Sequence, residues 1–233
     1  MRQFLAFTCI FFLLSSCSQR SKEDLTLSDL VPENSAVLLK ATSLETLESD
    51  IKNNEFINLL TSKNLLDSIT NKFKKFEDLG LKNEAIICIS DDYDLSIIST
   101  KIEDLAVNDS LQPQLENLYK TVLDSLLIAS TSKTIIDEMS SQKTRPNPYL
   151  KKLLNSSNVE SSVSLHINTE MGTHLLDSIY VQGRVKLNDI ANWISLDINL
   201  EQNQILLNGV ATVTDTLPKL INIFKNTIPQ QNR

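Results

Sequence analysis

The stretch Trp193-Ile-Ser-Leu-Asp-Ile-Asn-Leu-Glu201-Gln-Asn-Gln204-Ile-Leu-Leu-Asn-Gly-Val-Ala-Thr-Val213 decides the fold. Ile194, Leu196, Ile198 and Leu200 alternate with Ser195, Asp197 and Asn199, the period of a half-buried strand. Ile205 to Val213 return after a turn at Glu201 to Asn203, so the two strands are antiparallel neighbours. Two more apolar pairs repeat the arrangement. Ala85–Ile89 and Leu95–Ile98 flank Ser90-Asp91-Asp92-Tyr93-Asp94. Tyr119–Leu123 and Leu126–Ala129 flank Asp124-Ser125.

Working outward, a second pattern appears. An apolar strand runs into a Ser/Thr/Asn/Asp cap and a helical stretch four times: Ala36 to Ile51, Leu126 to Met139, Val163 to Ile179, and Ile205 to Phe224. Thr42-Ser43-Leu44-Glu45 reads as a capping box. Further helical spacing is carried by Leu65, Leu66, Ile69, Phe73 and Phe76, and by Tyr149, Leu150, Leu153 and Leu154. The expected class is α+β: a largely antiparallel sheet with helices packed on one face, in two layers. A doubly wound parallel sheet is the alternative, and the hairpins argue against it. The expected organisation is a removed segment 1–16, a polar tether 17–26, and one α+β domain over 27–230. Two subdomains would divide near 103–118.

The amino terminus says where the chain goes. Arg2 precedes an uncharged apolar run, Phe4 to Leu14, of about 11 residues. A spanning helix needs roughly 20, so this reads as a secretory signal peptide. It ends Leu14-Ser15-Ser16-Cys17, which resembles the lipobox of bacterial lipoproteins at every position. The resemblance implies cleavage between Ser16 and Cys17, diacylglycerol on the Cys17 sulfur, and acylation of the new amino terminus. Each buried CH₂ of such chains contributes about 0.8 kcal/mol, and two or more chains hold durably. Ser18 follows, in place of the aspartate that often retains lipoproteins at the inner membrane; this favours the outer membrane. Ser21-Lys22-Glu23-Asp24 resembles the lysine-plus-acid signal that sends some Gram-negative lipoproteins to the surface. A solvated tether has the same composition, so the periplasmic face and the cell surface both stay open.

The body bears a looser resemblance to an uncharacterised family of exported bacterial proteins. It rests on Leu30-Val31-Pro32-Glu33, on Asn54-Glu55-Phe56, and on Trp193 to Pro229. That resemblance transfers no activity. Its members are longer, which raises the expectation of a short or truncated version.

The chain of 233 residues carries a net charge of −7. Nucleic acid is a poor partner for an acidic protein, because binding requires neutralised phosphates. The expected partners are the membrane, through the lipid anchor, and an envelope protein or glycan. Of three cysteines, Cys9 leaves with the signal and Cys17 is consumed by lipid. Cys88 remains, reads as a small buried hydrophobe, and leaves no intramolecular disulfide. No cofactor is expected.

Several constellations touch chemistry without completing it. Ser130-Thr131-Ser132-Lys133 matches the Ser-x-x-Lys of penicillin-binding proteins, but its companion motifs are missing, and serines here also serve as caps. His166, Glu170 and His174 are spaced by four, yet His166 falls in a strand, leaving too few ligands for zinc. Asp91, Asp92 and Asp94 lack the glycine and distal glutamate of a calcium loop. Lys63, Lys72, Lys74 and Lys75 form a basic helix face that suits solvent, lipid headgroups or acidic glycans. Trp193 falls on the polar side of its strand, where it would cover an edge or stack on a sugar. The functional expectation is a lipid-anchored, non-enzymatic binding or structural module. An envelope hydrolase with a dispersed site is the alternative.

Overall fold

The computed structural model describes residues 25–61, 75–76, 79–100, 118–141, 148–158, 160–172, 186–213 and 219–224. Strands are β1 (Ser35–Ala41), β2 (Ala85–Ser90), β3 (Leu95–Thr100), β4 (Tyr119–Leu123), β5 (Leu126–Ser130), β6 (Val163–Asn168), β7 (Trp193–Glu201) and β8 (Gln204–Thr212). Helices are α1 (Leu44–Asn53), α2 (Glu55–Thr61), α3 (Lys133–Ser140), α4 (Pro148–Asn155) and the single turn α5 (Leu187–Ile190), with 3-10 turns at Leu27–Leu30 and Leu220–Phe224. The strands form one eight-stranded sheet in the order β4-β5-β3-β2-β1-β6-β7-β8. Every pair is antiparallel. The expected α+β class with an antiparallel sheet is what the molecule adopts, and the parallel alternative is excluded.

Local chemistry explains the corners. Asp124, with φ 52°, makes the left-handed corner between β4 and β5, a conformation Asp and Asn tolerate better than most residues. Tyr93 takes φ 62° at the β2–β3 tip, where the Asp94 amide donates to Ser90 Oγ at 3.1 Å. Ser43, rather than Thr42, caps α1: its Oγ accepts from the Thr46 amide at 3.1 Å. The first two strand-to-helix units, β1 into α1 and β5 into α3, are formed as expected. In the third, Asn168 Oδ1 accepts from the Glu170 and Met171 amides in a turn, and 173–185 lie outside the described residues. In the fourth, 214–218 lie outside them. So do the expected helix over 65–73, the stretch 103–117, and the whole of 1–24.

The register puts alternate residues on opposite faces. One face carries Leu38, Ile86, Cys88, Ile98, Leu126, Ile128 and Trp193, packed beneath Ile135, Ile136 and Met139 of α3, Leu150, Leu153 and Leu154 of α4, and Leu27, Leu30 and Val31. The opposite face carries Ala85, Ile87, Leu95, Ile97 and Ala129, which meet Phe76, Leu79 and Leu44. The central strands β5, β3, β2 and β1 are thus apolar on both sides. Lys151 Nζ bonds Asp29 Oδ1 at 2.9 Å, pinning α4 to the first 3-10 turn. Burial raises the Asp29 pKa, but hydrogen bonds from Thr26 and Lys151 outweigh it and hold the carboxyl below its ordinary value.

Two sequence expectations invert at β6 and β7. Ser164, His166 and Ser195, read as the polar side, are buried, whereas Leu165, Ile167, Ile194, Leu196 and Ile198 are only half-buried. Trp193, also on that polar side, is 9% exposed and belongs to the main core. The reason is that these polar side chains bond one another beneath the α4–β6 connection, so burying them leaves no unmet donor.

Candidate functional site

A polar cluster is built where α4 ends above strands β1, β6 and β7. Ser156 closes the helix, its amide donating to Lys152 O and its Oγ to Leu153 O. The chain then lays Ser157, Asn158 and Ser161 over the sheet. Antiparallel register places Lys40, Ser164 and Asp197 in one row across the strands, and Leu38, His166 and Ser195 in the next. His166 is 1% exposed. Its Nε2 lies 3.1 Å from Ser157 Oγ and its Nδ1 lies 2.9 Å from Ser195 Oγ. Ser164 Oγ donates to Asp197 Oδ1 at 2.6 Å, and the Asn158 amide donates to both Asp197 oxygens at 3.3 Å. Ser161 Oγ donates to Asn158 O at 2.6 Å. Lys40 Nζ reaches Leu154 O at 3.2 Å and Glu84 at 3.7 Å.

The electrostatics favour a neutral imidazole. Burial pushes His166 down to about 4; the Asp197 carboxylate opposes this and the Lys40 ammonium reinforces it. Neutral imidazole donates through one nitrogen and accepts through the other, and a hydroxyl on each side suits either tautomer. Ser157 Oγ beside His166 Nε2 has the spacing of a nucleophile and its base. The rest does not complete that chemistry. A base titrating near 4 abstracts protons poorly at neutral pH. Asp197 engages Ser164 and Asn158 rather than the imidazole. The adjoining recess, lined by Lys40, Thr42, Ser157, Asn158, Ser161 and Ser164, has a volume near 10 Å³, about the scale of one water molecule. The cluster therefore knits the α4–β6 connection onto the sheet.

The other sequence candidates are dispersed. Ser130 is fully buried. Its Oγ donates to Leu95 O at 3.1 Å, accepts from the Ser132 amide at 3.0 Å and meets Ser96 Oγ at 2.9 Å. Those bonds lock the β5–α3 junction, and Lys133 is exposed one turn on. Glu170 sits in an exposed turn, apart from buried His166, and His174 lies outside the described residues. Asp91, Asp92 and Asp94 form the β2–β3 tip. Among the described residues no group of acidic, His or Cys side chains is arranged to hold a metal. Lys75 is half-buried, and Lys63, Lys72 and Lys74 lie outside the described residues, as do Ser16 and Cys17. Trp193 is enclosed and offers no sugar platform. Cys88 is buried, and burial pushes its thiol up to about 12, with a hydrogen bond to Ser35 opposing; it stays a protonated, inert thiol.

Sequence reasoning missed Ser157, Asn158 and Ser161, and read Ser195 and Asp197 as solvated. The available signal was the polar run Asn155-Ser-Ser-Asn-Val-Glu-Ser-Ser162 leading straight into a strand that itself carries Ser164 and His166.

A different surface lies at the sheet's β8 end. Asn54 Nδ2 donates to Glu201 O at 2.6 Å and Gln204 O at 3.2 Å, and the Glu55 amide donates to Gln202 O at 2.8 Å. These bonds hold the α1–α2 corner on the β7–β8 turn. Beside it Phe56 is 51% exposed and Leu59 62% exposed, with Ile51 also exposed. No helix among the described residues is long and apolar enough to cross a membrane.

No protein-family model matches the chain, and no curated protein matches it. Among solved structures, crystal form I of TP0453 is similar at 14% identity and TM-score 0.47, covering 88% of this chain and 85% of that one. Crystal form III of TP0453 is similar at 12% identity and TM-score 0.48, covering 88% and 87%. Likeness of this degree carries no argument about function.

Proposed function

We propose that the chain is a lipid-anchored exported protein of the outer membrane, held by acylated Cys17, whose folded body is a non-catalytic binding or structural module. The observation that carries the module is the apolar surface of Ile51, Phe56 and Leu59 at the α1–α2 corner. Grouped exposed apolar side chains mark interaction sites, and a surface of this kind, with no polar group among the three side chains, suits an envelope protein better than a glycan. The non-catalytic reading is supported by the commitment of Ser130 to a helix junction and of His166 to two internal hydroxyls.

The test is crosslinking of the full chain in intact cells, followed by pull-down, with and without the pair Phe56→Asp and Leu59→Asp. Loss of crosslinked partner in the double variant, with its melting curve unchanged, is expected. The same partners recovered from both proteins would sink the assignment of this surface. A serine-reactive acylating probe attached to Ser157 would overturn the non-catalytic part.

A further inference from the structure

The two edges of the sheet are unequal. The β4 edge is five residues long, carries Lys120 and touches α3. Short length and lysine are usual protections against edge-to-edge pairing. β8 is longer and carries no lysine, although α2, bonded to the β7–β8 turn, touches it. Its nine residues, Gln-Ile-Leu-Leu-Asn-Gly-Val-Ala-Thr, include no charge and no proline. They pair with β7 in unbroken register from Glu201↔Gln204 to Trp193↔Thr212, so no bulge turns the strand aside. β8 ends the sheet. Leu206 and Leu207 point to opposite faces and both are exposed, Leu207 at 58%, as is Val210 at 56%.

The pairing geometry follows from the turn. Glu201 and Gln204 flank a two-residue turn and so form a hydrogen-bonded pair. Such pairs then alternate with non-bonded ones along the ladder. Gln204, Leu206, Asn208, Val210 and Thr212 therefore aim their peptide groups at β7. Ile205, Leu207, Gly209 and Ala211 aim theirs outward, off the sheet.

We propose that β8 pairs antiparallel with β8 of a second copy, about a two-fold axis at Asn208, to join two sheets into one. This stands on the sheet edge alone and does not depend on the α1–α2 surface. The register about Asn208 is self-complementary. Leu207 falls opposite Gly209 of the other copy and Ile205 opposite Ala211, large against small on one face. Leu206 falls opposite Val210 and Gln204 opposite Thr212 on the other face. The four outward residues meet one another as hydrogen-bonded pairs, and no charges oppose in a chain otherwise net negative. Leu196 of β7 already leans over Gly209, its Cδ2 2.6 Å from where a Cβ would stand, which leaves it beside the incoming Leu207. The edge is about 30 Å long. At roughly 15 Å wide it covers about 900 Å² over both copies, near the lower limit for a specific interface, so the pair is reversible.

The test is disulfide trapping in the full chain, on the membrane. Asn208 faces its own copy as a non-bonded pair, where Cα atoms are about 4.5 Å apart, within disulfide reach. Asn208→Cys is expected to give an oxidised dimer. Ile205→Cys alone gives none, but forms a heterodimer when co-expressed with an Ala211→Cys chain. Adding Leu207→Lys to Asn208→Cys abolishes the dimer without altering the melting curve. A maleimide-reactive Asn208→Cys that forms no dimer, or one trapped to another protein, would overturn self-pairing and leave the α1–α2 module standing. Equal dimer from Ile205→Cys alone would reveal random collision and equally overturn it.

Discussion

His166 is a strand residue held between two hydroxyls, and its titration reports on the polar cluster. Its value is about 4 in the folded chain against an ordinary 6.5. Above 6.5 both states are neutral and stability is complete. Below it the unfolded chain takes up a proton that the folded chain refuses, so stability falls as pH drops from 6.5 toward 4. The loss is on the order of 3 kcal/mol when complete. Urea unfolding at pH 7 and pH 4.5 is expected to show this decline, and His166→Gln should flatten it; an unchanged slope in the variant would count against the assignment. Asp29 acts lower still: its depressed carboxyl contributes above its ordinary 3.8 and is lost below that. Trp193 gives a second test at this scale. Trp193→Ala should destabilise by about 3–5 kcal/mol, as a core aromatic does, whereas an edge-covering tryptophan would cost far less.

At the scale of elements, the hairpins were legible because a short polar turn between two apolar runs permits few connections. The Asp124-Ser125 corner and the cap at Ser43 sit within a residue of where turn chemistry places them. The buried face of β6 and β7 was not legible. Alternation tells which residues share a face, and assigning the polar set to water assumes those groups have no partners. Ser164, His166 and Ser195 find theirs in Ser157, Asp197 and one another, contributed from up to 33 positions away, as for Ser164 and Asp197. Residues brought together only by the sheet leave no local periodic mark. Gly209 tests the β7–β8 packing. A Cβ there would meet Ser195 O within forbidden distance and Leu196 at 2.6 Å, and the first of these is backbone. Gly209→Ala should therefore lower stability by about 1–3 kcal/mol; a melting curve identical to wild type would show that the strands separate freely.

For the whole molecule, fold and address come from different parts of the chain. The antiparallel sheet follows from the hairpins and from apolar residues on both sides of β5, β3, β2 and β1. The proposed address rests on the first 17 residues, where a short apolar run ends in the lipobox-like Leu14-Ser15-Ser16-Cys17. The Ser-x-x-Lys and His-Glu-His spacings were visible in the sequence, yet the fold buries Ser130 and exposes Lys133, and buries His166 while exposing Glu170, because linear spacing does not fix which side chains share a cavity. An acidic body with exposed apolar side chains at the α1–α2 corner is what the proposed partner-binding module requires. The lipid attachment is the central claim, and it has one direct measurement: metabolic labelling with radioactive palmitate, with membrane fractionation, for wild type and Cys17→Ser. Wild type should be labelled and sediment with the membrane, while Cys17→Ser should lose the label. Equal labelling and equal fractionation of the two proteins would contradict it.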